Sequence, residues 1–151
     1  MSRFEISSRP IDLAAFRQRL LDPGCGAYVQ FEGWVRDHNE GQPVLRLEYE
    51  VYEPLAVREG NRIIAEAVEA YGVSNAAAVH RSGLMELSEV AVVVGVSSPH
   101  RGEAFAACRH IIDQAKQRLP IWKKEYYASG KTEWVNCQRC AHAVGEHHDR
   151  G

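Results

Sequence analysis

The residues best placed to do chemistry are cations set at the ends of apolar segments. Arg36 follows Phe31-Glu-Gly-Trp-Val35, and His100-Arg101 follows the apolar run from Val90 to Val96. Lys116 lies in an amphipathic stretch, and Lys123-Lys124-Glu125 follows Pro120-Ile-Trp122. A cation at the end of a buried element is unfavourable unless something pairs with it. Several together point to a pocket for a small anion, with a lysine available for proton transfer or nucleophilic attack. An enzyme acting on a phosphate-bearing molecule would use such a set.

Each residue has a functional role and a commoner one. Arg36 offers a guanidinium fork for a phosphate or carboxylate, or it is an ordinary strand-end arginine in water. His100-Arg101 falls where a strand gives way to a helix, so backbone N–H groups and an arginine favour the same anion. The alternative there is a capping histidine beside a solvated arginine. Lys116 borders an apolar stripe. It is either a partly desolvated lysine of lowered pKa or an exposed one lying its stem along the core edge. Lys123 and Lys124 alternate along a strand, so one faces inward; the alternative is an edge strand protected by charge. If residues 102–118 form one helix, Arg101 and Lys116 stand about 22 Å apart at 1.5 Å per residue. A small metabolite cannot touch both in one subunit. A two-fold dimer in which one subunit's His100-Arg101 meets the other's Lys116 resolves this.

The elements that must position these residues can be read in order. Phe4 to Ile6 is a short strand, and Ile11 to Leu21 a helix with Leu13, Phe16 and Leu20 on one face. Ala27 to Val35 is a strand, and residues 37–41 are turn formers expected to make a mobile loop. Val44 to Tyr52 alternates, with Leu45, Leu47, Tyr49 and Val51 pointing inward. Pro54 breaks that strand, and a helix follows from about Ala56 to Tyr71 with Ile63, Ile64, Ala67 and Val68 inward. Ala76 to Arg81 is a strand, and Gly83 marks a turn. Val90 to Ser97 is a β-branched run expected at the centre of a sheet, buried on both faces. Ser97-Ser98-Pro99 reads as a helix start, with a serine cap and proline at the first position. That helix continues through Phe105, Cys108, Ile112 and Ala115, its apolar stripe, and stops near Pro120. Ile121 to Tyr127 and Thr132 to Val135 pair around residues 128–130. The order of elements argues for an α+β fold with a mixed sheet.

The 151 residues fit one domain able to bury a core. A net charge of -2 gives no electrostatic case for nucleic acid or an anionic membrane. No stretch has the apolar length of a membrane span, and the N-terminus lacks a signal peptide's apolar core. The expected compartment is the cytoplasm, where Cys25, Cys108, Cys137 and Cys140 stay reduced. Cys137-Gln-Arg-Cys140, with His142, His147 and His148 after it, has half of a zinc-site pattern. The second half is missing and His142 follows Cys140 too closely, so the expectation is no metal and a tail, residues 137–151, with incidental cysteines. Residues 1–136 make the domain.

Taken together, several segments resemble one family. They are Phe31-Glu-Gly-Trp-Val-Arg-Asp-His-Asn39, Leu47-Glu-Tyr-Glu50, His80-Arg-Ser-Gly83, Ser98-Pro-His-Arg101 with Ala104-Phe105, and Pro120-Ile-Trp-Lys-Lys-Glu125. In this order they resemble the large, catalytic subunit of molybdopterin synthase, from about Phe4 to Val135. The resemblance implies an αβ hammerhead-type α+β fold with an additional β subdomain. It implies a sulfurtransferase that needs no cofactor and converts cyclic pyranopterin monophosphate (precursor Z) to the dithiolene of molybdopterin. Sulfur would arrive as a thiocarboxylate on the C-terminal glycine of a ubiquitin-like small subunit. A homodimer of the large subunit would bind one carrier at each end, giving a heterotetramer. By residue, Trp34, Val35 and Arg36 match a substrate-binding segment and His100-Arg101 an anion-binding pair. Lys116 matches a catalytic lysine that also binds substrate, and Lys123, Lys124 and Glu125 a second active-site segment, with Lys123 a further catalytic candidate. Arg139 matches a family arginine only with a one-residue offset. The competing function is a non-catalytic platform for a ubiquitin-like protein, joined by strand pairing at a sheet edge. Such a platform has no use for Arg36, His100, Arg101 and Lys116 together.

Overall fold

The computed structural model describes residues 3–136. Its strands are β1 (Phe4–Ser7), β2 (Ala27–Trp34), β3 (His38–Asn39), β4 (Gln42–Val51), β5 (Asn75–Arg81), β6 (Gly83–Glu86), β7 (Val90–Ser98), β8 (Ile121–Tyr127) and β9 (Thr132–Asn136). Its helices are α1 (Leu13–Gln18), α2 (Glu53–Tyr71) and α3 (Arg101–Arg118). The first sheet has the order β1-β5-β7-β2. Only β1 and β5 run parallel, so the sheet is mixed.

β7 lies inside this sheet because its side chains are apolar in both directions of the pleat. Val92, Val94 and Val96 face α2 and α3, meeting Ile63, Ile64, Ala67, Ala104, Ala107 and Ile111. Val93 faces the other way, onto Phe16 and Leu20 at α1. The expected strand buried on both faces is therefore present. α2 starts with Pro54 in its first turn and ends at Gly72, whose φ of 66° is the left-handed conformation that glycine adopts freely. Gly60 lets α2 approach β1 closely, since a Cβ there would overlap the Phe4 ring.

The second sheet is antiparallel, ordered β3-β4-β8-β9, with β6 also paired to β4. Val35, Leu47, Met85 and Ala91 form a small core between the two sheets. This β-rich half is the additional subdomain of an αβ hammerhead-type α+β fold.

Several expectations are corrected here. Residues 37–41, expected as a mobile loop, instead enter a hairpin over 38–43: His38 pairs with Pro43 and Asn39 with Gln42, around Glu40 and Gly41, both at positive φ. Leu45 points to solvent and Val44 is buried, because the register slips between Val44 and Arg46 and the pleat inverts there. β6 follows directly on the turn at Gly83. Ser97 and Ser98 do not cap α3. They stay in β7, paired with Tyr28 and Ala27, and His100 is the cap residue, without a side-chain cap bond. Phe105 is 61% exposed, and the buried stripe of α3 is Ala104, Ala107, Cys108 and Ile111. The small alanines let the helix sit close to the sheet, so Phe105, one position round the helix, is turned outward. No helix among the described residues is long and apolar enough to cross a membrane.

Candidate active site

Two polar regions are held at opposite ends of α3. At its N-terminus, Pro99, His100, Arg101 and Gly102 face Gly26 and Ala27 at the start of β2. They line an open depression of about 440 Å³. The first backbone N–H groups of a helix have no partner within it and carry partial positive charge. With Arg101 beside them, this rim suits a phosphate or carboxylate.

At the other end, α3 delivers Lys116 to the second sheet. Lys116 is exposed, while its neighbours Ala115 and Leu119 turn inward with His80 to line a narrow apolar crevice. His80 donates from Nδ1 to the Arg81 carbonyl at 2.7 Å and packs its ring edge-on against Tyr49, with centroids 4.9 Å apart. Burial lowers its pKa to about 4; the Arg81 carbonyl opposes this, and the positive charge of Lys116 adds to it. The imidazole beside Lys116 is thus neutral near pH 7. With Nδ1 carrying the proton, Nε2 is an acceptor.

Tyr49 lies opposite Lys123, which leads to the next group. Lys123 and Glu125 are two apart on β8 and share a face, with Nζ 3.8 Å from Oε1. Glu125 is only 2% exposed. Asn39 donates from Nδ2 to Glu125 Oε1 at 3.0 Å and to Tyr127 Oη at 3.2 Å. Burial raises the Glu125 pKa, and the carboxylates of Glu133 and Glu40 push the same way, whereas Lys123 and Arg36 pull it down. Arg36 therefore belongs to this region, exposed at its edge.

The remaining expected residues fall elsewhere. Lys124 points to the opposite face of β8, its Nζ 5.2 Å from the Tyr126 ring centre and 5.7 Å from that of Trp134. It does not join Lys123 and Glu125. The Val35 side chain is in the inter-sheet core, so only its backbone and its anchoring of Arg36 can serve a ligand. Trp34 is 64% exposed and donates from Nε1 to Glu32 at 2.9 Å. α3 is one unbroken helix from Arg101 to Arg118, so the separation of about 22 Å between Arg101 and Lys116 holds within one chain.

Sequence reasoning assigned no role to His80, Tyr49, Asn39 or Tyr127. The first three sit in the segments that carried the resemblance, which was the available signal. Among the described residues no cluster of His, Cys, Asp or Glu is placed to hold a metal ion. Cys108 is buried, and burial raises its thiol pKa to about 11. Cys137, Cys140, Arg139 and the three histidines of the tail lie outside the described residues.

A helix terminus suited to an anion, and a sheet face that sets Lys123 against the buried Glu125 carboxyl, give an α+β protein whose charged groups suit anion binding and group transfer. Comparison with known proteins narrows that class. The family model described as MoaE protein matches residues 6–118. The molybdopterin synthase catalytic subunit of Bacillus subtilis is 41% identical over 138 residues, covering 91% of this chain and 87% of that one. The crystal structure of molybdopterin synthase from Staphylococcus aureus superposes with a TM-score of 0.84 at 36% identity, covering 89% of this chain and 98% of that one. A complex of subunits 1 and 2 of molybdopterin-converting factor from Helicobacter pylori shares the fold, with a TM-score of 0.72 at 20% identity, over 87% of this chain and 89% of that one. The chain belongs to the MoaE protein family.

Proposed function

We propose that this chain is the catalytic subunit of a molybdopterin synthase. It transfers sulfur from a thiocarboxylated ubiquitin-like small subunit to cyclic pyranopterin monophosphate, forming the dithiolene of molybdopterin. The observation that carries the reading is the gathering of exposed Lys116, neutral His80, the Lys123–Glu125 pair and Arg36 on one side of the second sheet. Membership of the MoaE protein family supports reading these groups as the ones that serve that reaction.

The chemistry asks for three things. The cyclic phosphate needs cationic recognition, for which Arg36, Arg101 and the α3 N-terminus are suited. The thiocarboxyl carbonyl needs stabilisation as negative charge develops, which a lysine ammonium gives. Opening the cyclic substrate needs proton transfer, for which the lysines and Glu125 are the titratable groups present. Lys116 and Lys123 are the catalytic pair in this scheme. Trp34, Val35 and Arg36 frame the substrate segment, and Glu125 orients Lys123. Lys124 contributes only from the opposite face, through its stack with Trp134.

His100-Arg101 and Lys116 act on one substrate when two copies pair about a two-fold axis, each lending its α3 N-terminus to the other's lysines. One carrier subunit on each copy completes a heterotetramer. The catalytic domain lies within residues 1–136, and the enzyme works in the cytoplasm.

The test is reconstitution of the pure protein with a thiocarboxylated carrier and cyclic pyranopterin monophosphate, reading dithiolene product. Wild type should turn over and Lys116→Ala should not. Carrier bound without product from wild type would leave the platform function instead; a fewfold loss in Lys116→Ala would remove that lysine from the central role.

A further inference from the structure

The hairpin of β3 and β4 closes on a turn that carries a conformational cost. Its turn holds Glu40, a non-glycine residue, at a φ of 49°, next to Gly41 at 79°. Two consecutive left-handed residues make the tight turn of a two-residue hairpin, and a non-glycine residue there is disfavoured. The strand that this turn creates is two residues long, too short to be stable alone. What it achieves is the placement of Asn39. That side chain reaches across to β8 and donates to both Glu125 and Tyr127.

We propose that Asn39 is a positioning residue of the active site, acting through Glu125. Its amide fixes the buried carboxylate, and the carboxylate in turn holds the ammonium of Lys123. This rests on the sulfurtransferase reading above, in which Lys123 and Glu125 serve the reaction. The geometry leaves few substitutes for Asn39. Glu125 Oε1 receives both Asn39 Nδ2 and the more distant Lys123 Nζ. On β4 the residue opposite Glu125 is apolar Leu47, and on β9 it is Glu133, which repels it. Glu40 in the turn is a second anion, Arg36 beyond β2 is a cation, and the Tyr127 phenol is held by the same amide. A buried carboxylate with anions on two sides depends on each donor it has.

Loss of the amide destabilises the ionised form of Glu125, so its pKa must rise. In Asn39→Ala the Glu125 carboxyl, followed by carbon NMR and assigned by its absence in Glu125→Gln, should titrate about one pH unit higher than in wild type, the equivalent of one hydrogen bond to a charged group. The acid limb of the turnover profile should move up by the same interval. Asn39→Asp, of nearly the same shape, replaces the donor with a third anion and should move both further. A purely structural role would instead lower activity evenly across pH, in step with lost folded protein. An unmoved Glu125 midpoint in folded Asn39→Asp overturns the proposal. If wild type makes no dithiolene, the sulfurtransferase reading fails, and the NMR midpoint still decides whether Asn39 controls Glu125.

Discussion

Acidification should weaken this fold through His80, and the size of the effect follows from its surroundings. The imidazole lies between Tyr49 and the crevice wall, with Lys116 nearby, and its pKa falls from 6.5 to about 4 on folding. Burial is the main cause, and the lysine's charge is the smaller one. The folded pKa lies below the unfolded one, so between these values the unfolded chain binds the extra proton. Stability is therefore full above the unfolded value of 6.5, falls as pH drops, and levels off below about 4. Between about pH 7 and about pH 5 linkage gives a loss of about 2 kcal/mol from this group alone. The assay is urea unfolding at both pH values for wild type and for His80→Asn, whose amide can still donate to the Arg81 carbonyl. The wild-type unfolding free energy should drop on acidification by about 2 kcal/mol more than the variant's. Equal drops in both proteins would refute the reasoning, for they would mean that His80 is as well solvated folded as unfolded.

Two further outcomes concern α3. Arg118 donates to Glu59 and Glu66 on α2 and holds the Glu66 carboxyl below its usual pKa; because Arg118 and Glu66 are partly exposed, Arg118→Ala should lower stability by only about 1 kcal/mol in urea melts, and by less in high salt. Lys116→Ala, two residues away and exposed, should melt within about 0.5 kcal/mol of wild type, so that its lost turnover reads as chemistry rather than unfolding.

Much of the fold was legible because one residue class dominated each element. The unbroken apolar run of β7 could only lie between two layers, and the Ile63, Ile64, Ala67 pattern of α2 could only face one way. The misread positions are those where a tertiary effect outweighs local pattern. Leu45 fits its strand's alternation until the bulge inverts the pleat. Phe105 is the largest apolar residue of α3, yet close packing against the sheet selects the alanines beside it. Ser98 looks like a cap, but its pairing with Ala27 keeps it in the strand. At the site, charge alone marked Arg36, His100, Arg101, Lys116 and Lys123. It could not mark His80 or Asn39, since a neutral side chain gains its function only from the charged group that folding sets against it. Nor could it separate Lys123 from Lys124, which the pleat sends to opposite faces.

The central claim is that one site is built from Lys116 of one copy and Arg101 of the other, and mixing two inactive proteins tests it most directly. Arg101→Ala and Lys116→Ala are each purified, shown to be without turnover, then unfolded and refolded together and supplied with thiocarboxylated carrier and cyclic pyranopterin monophosphate. A shared site predicts recovered dithiolene formation, because a mixed dimer holds one site with both residues intact. No recovery, despite mixed dimers on a native gel, would contradict it, as would a wild-type monomer with full activity.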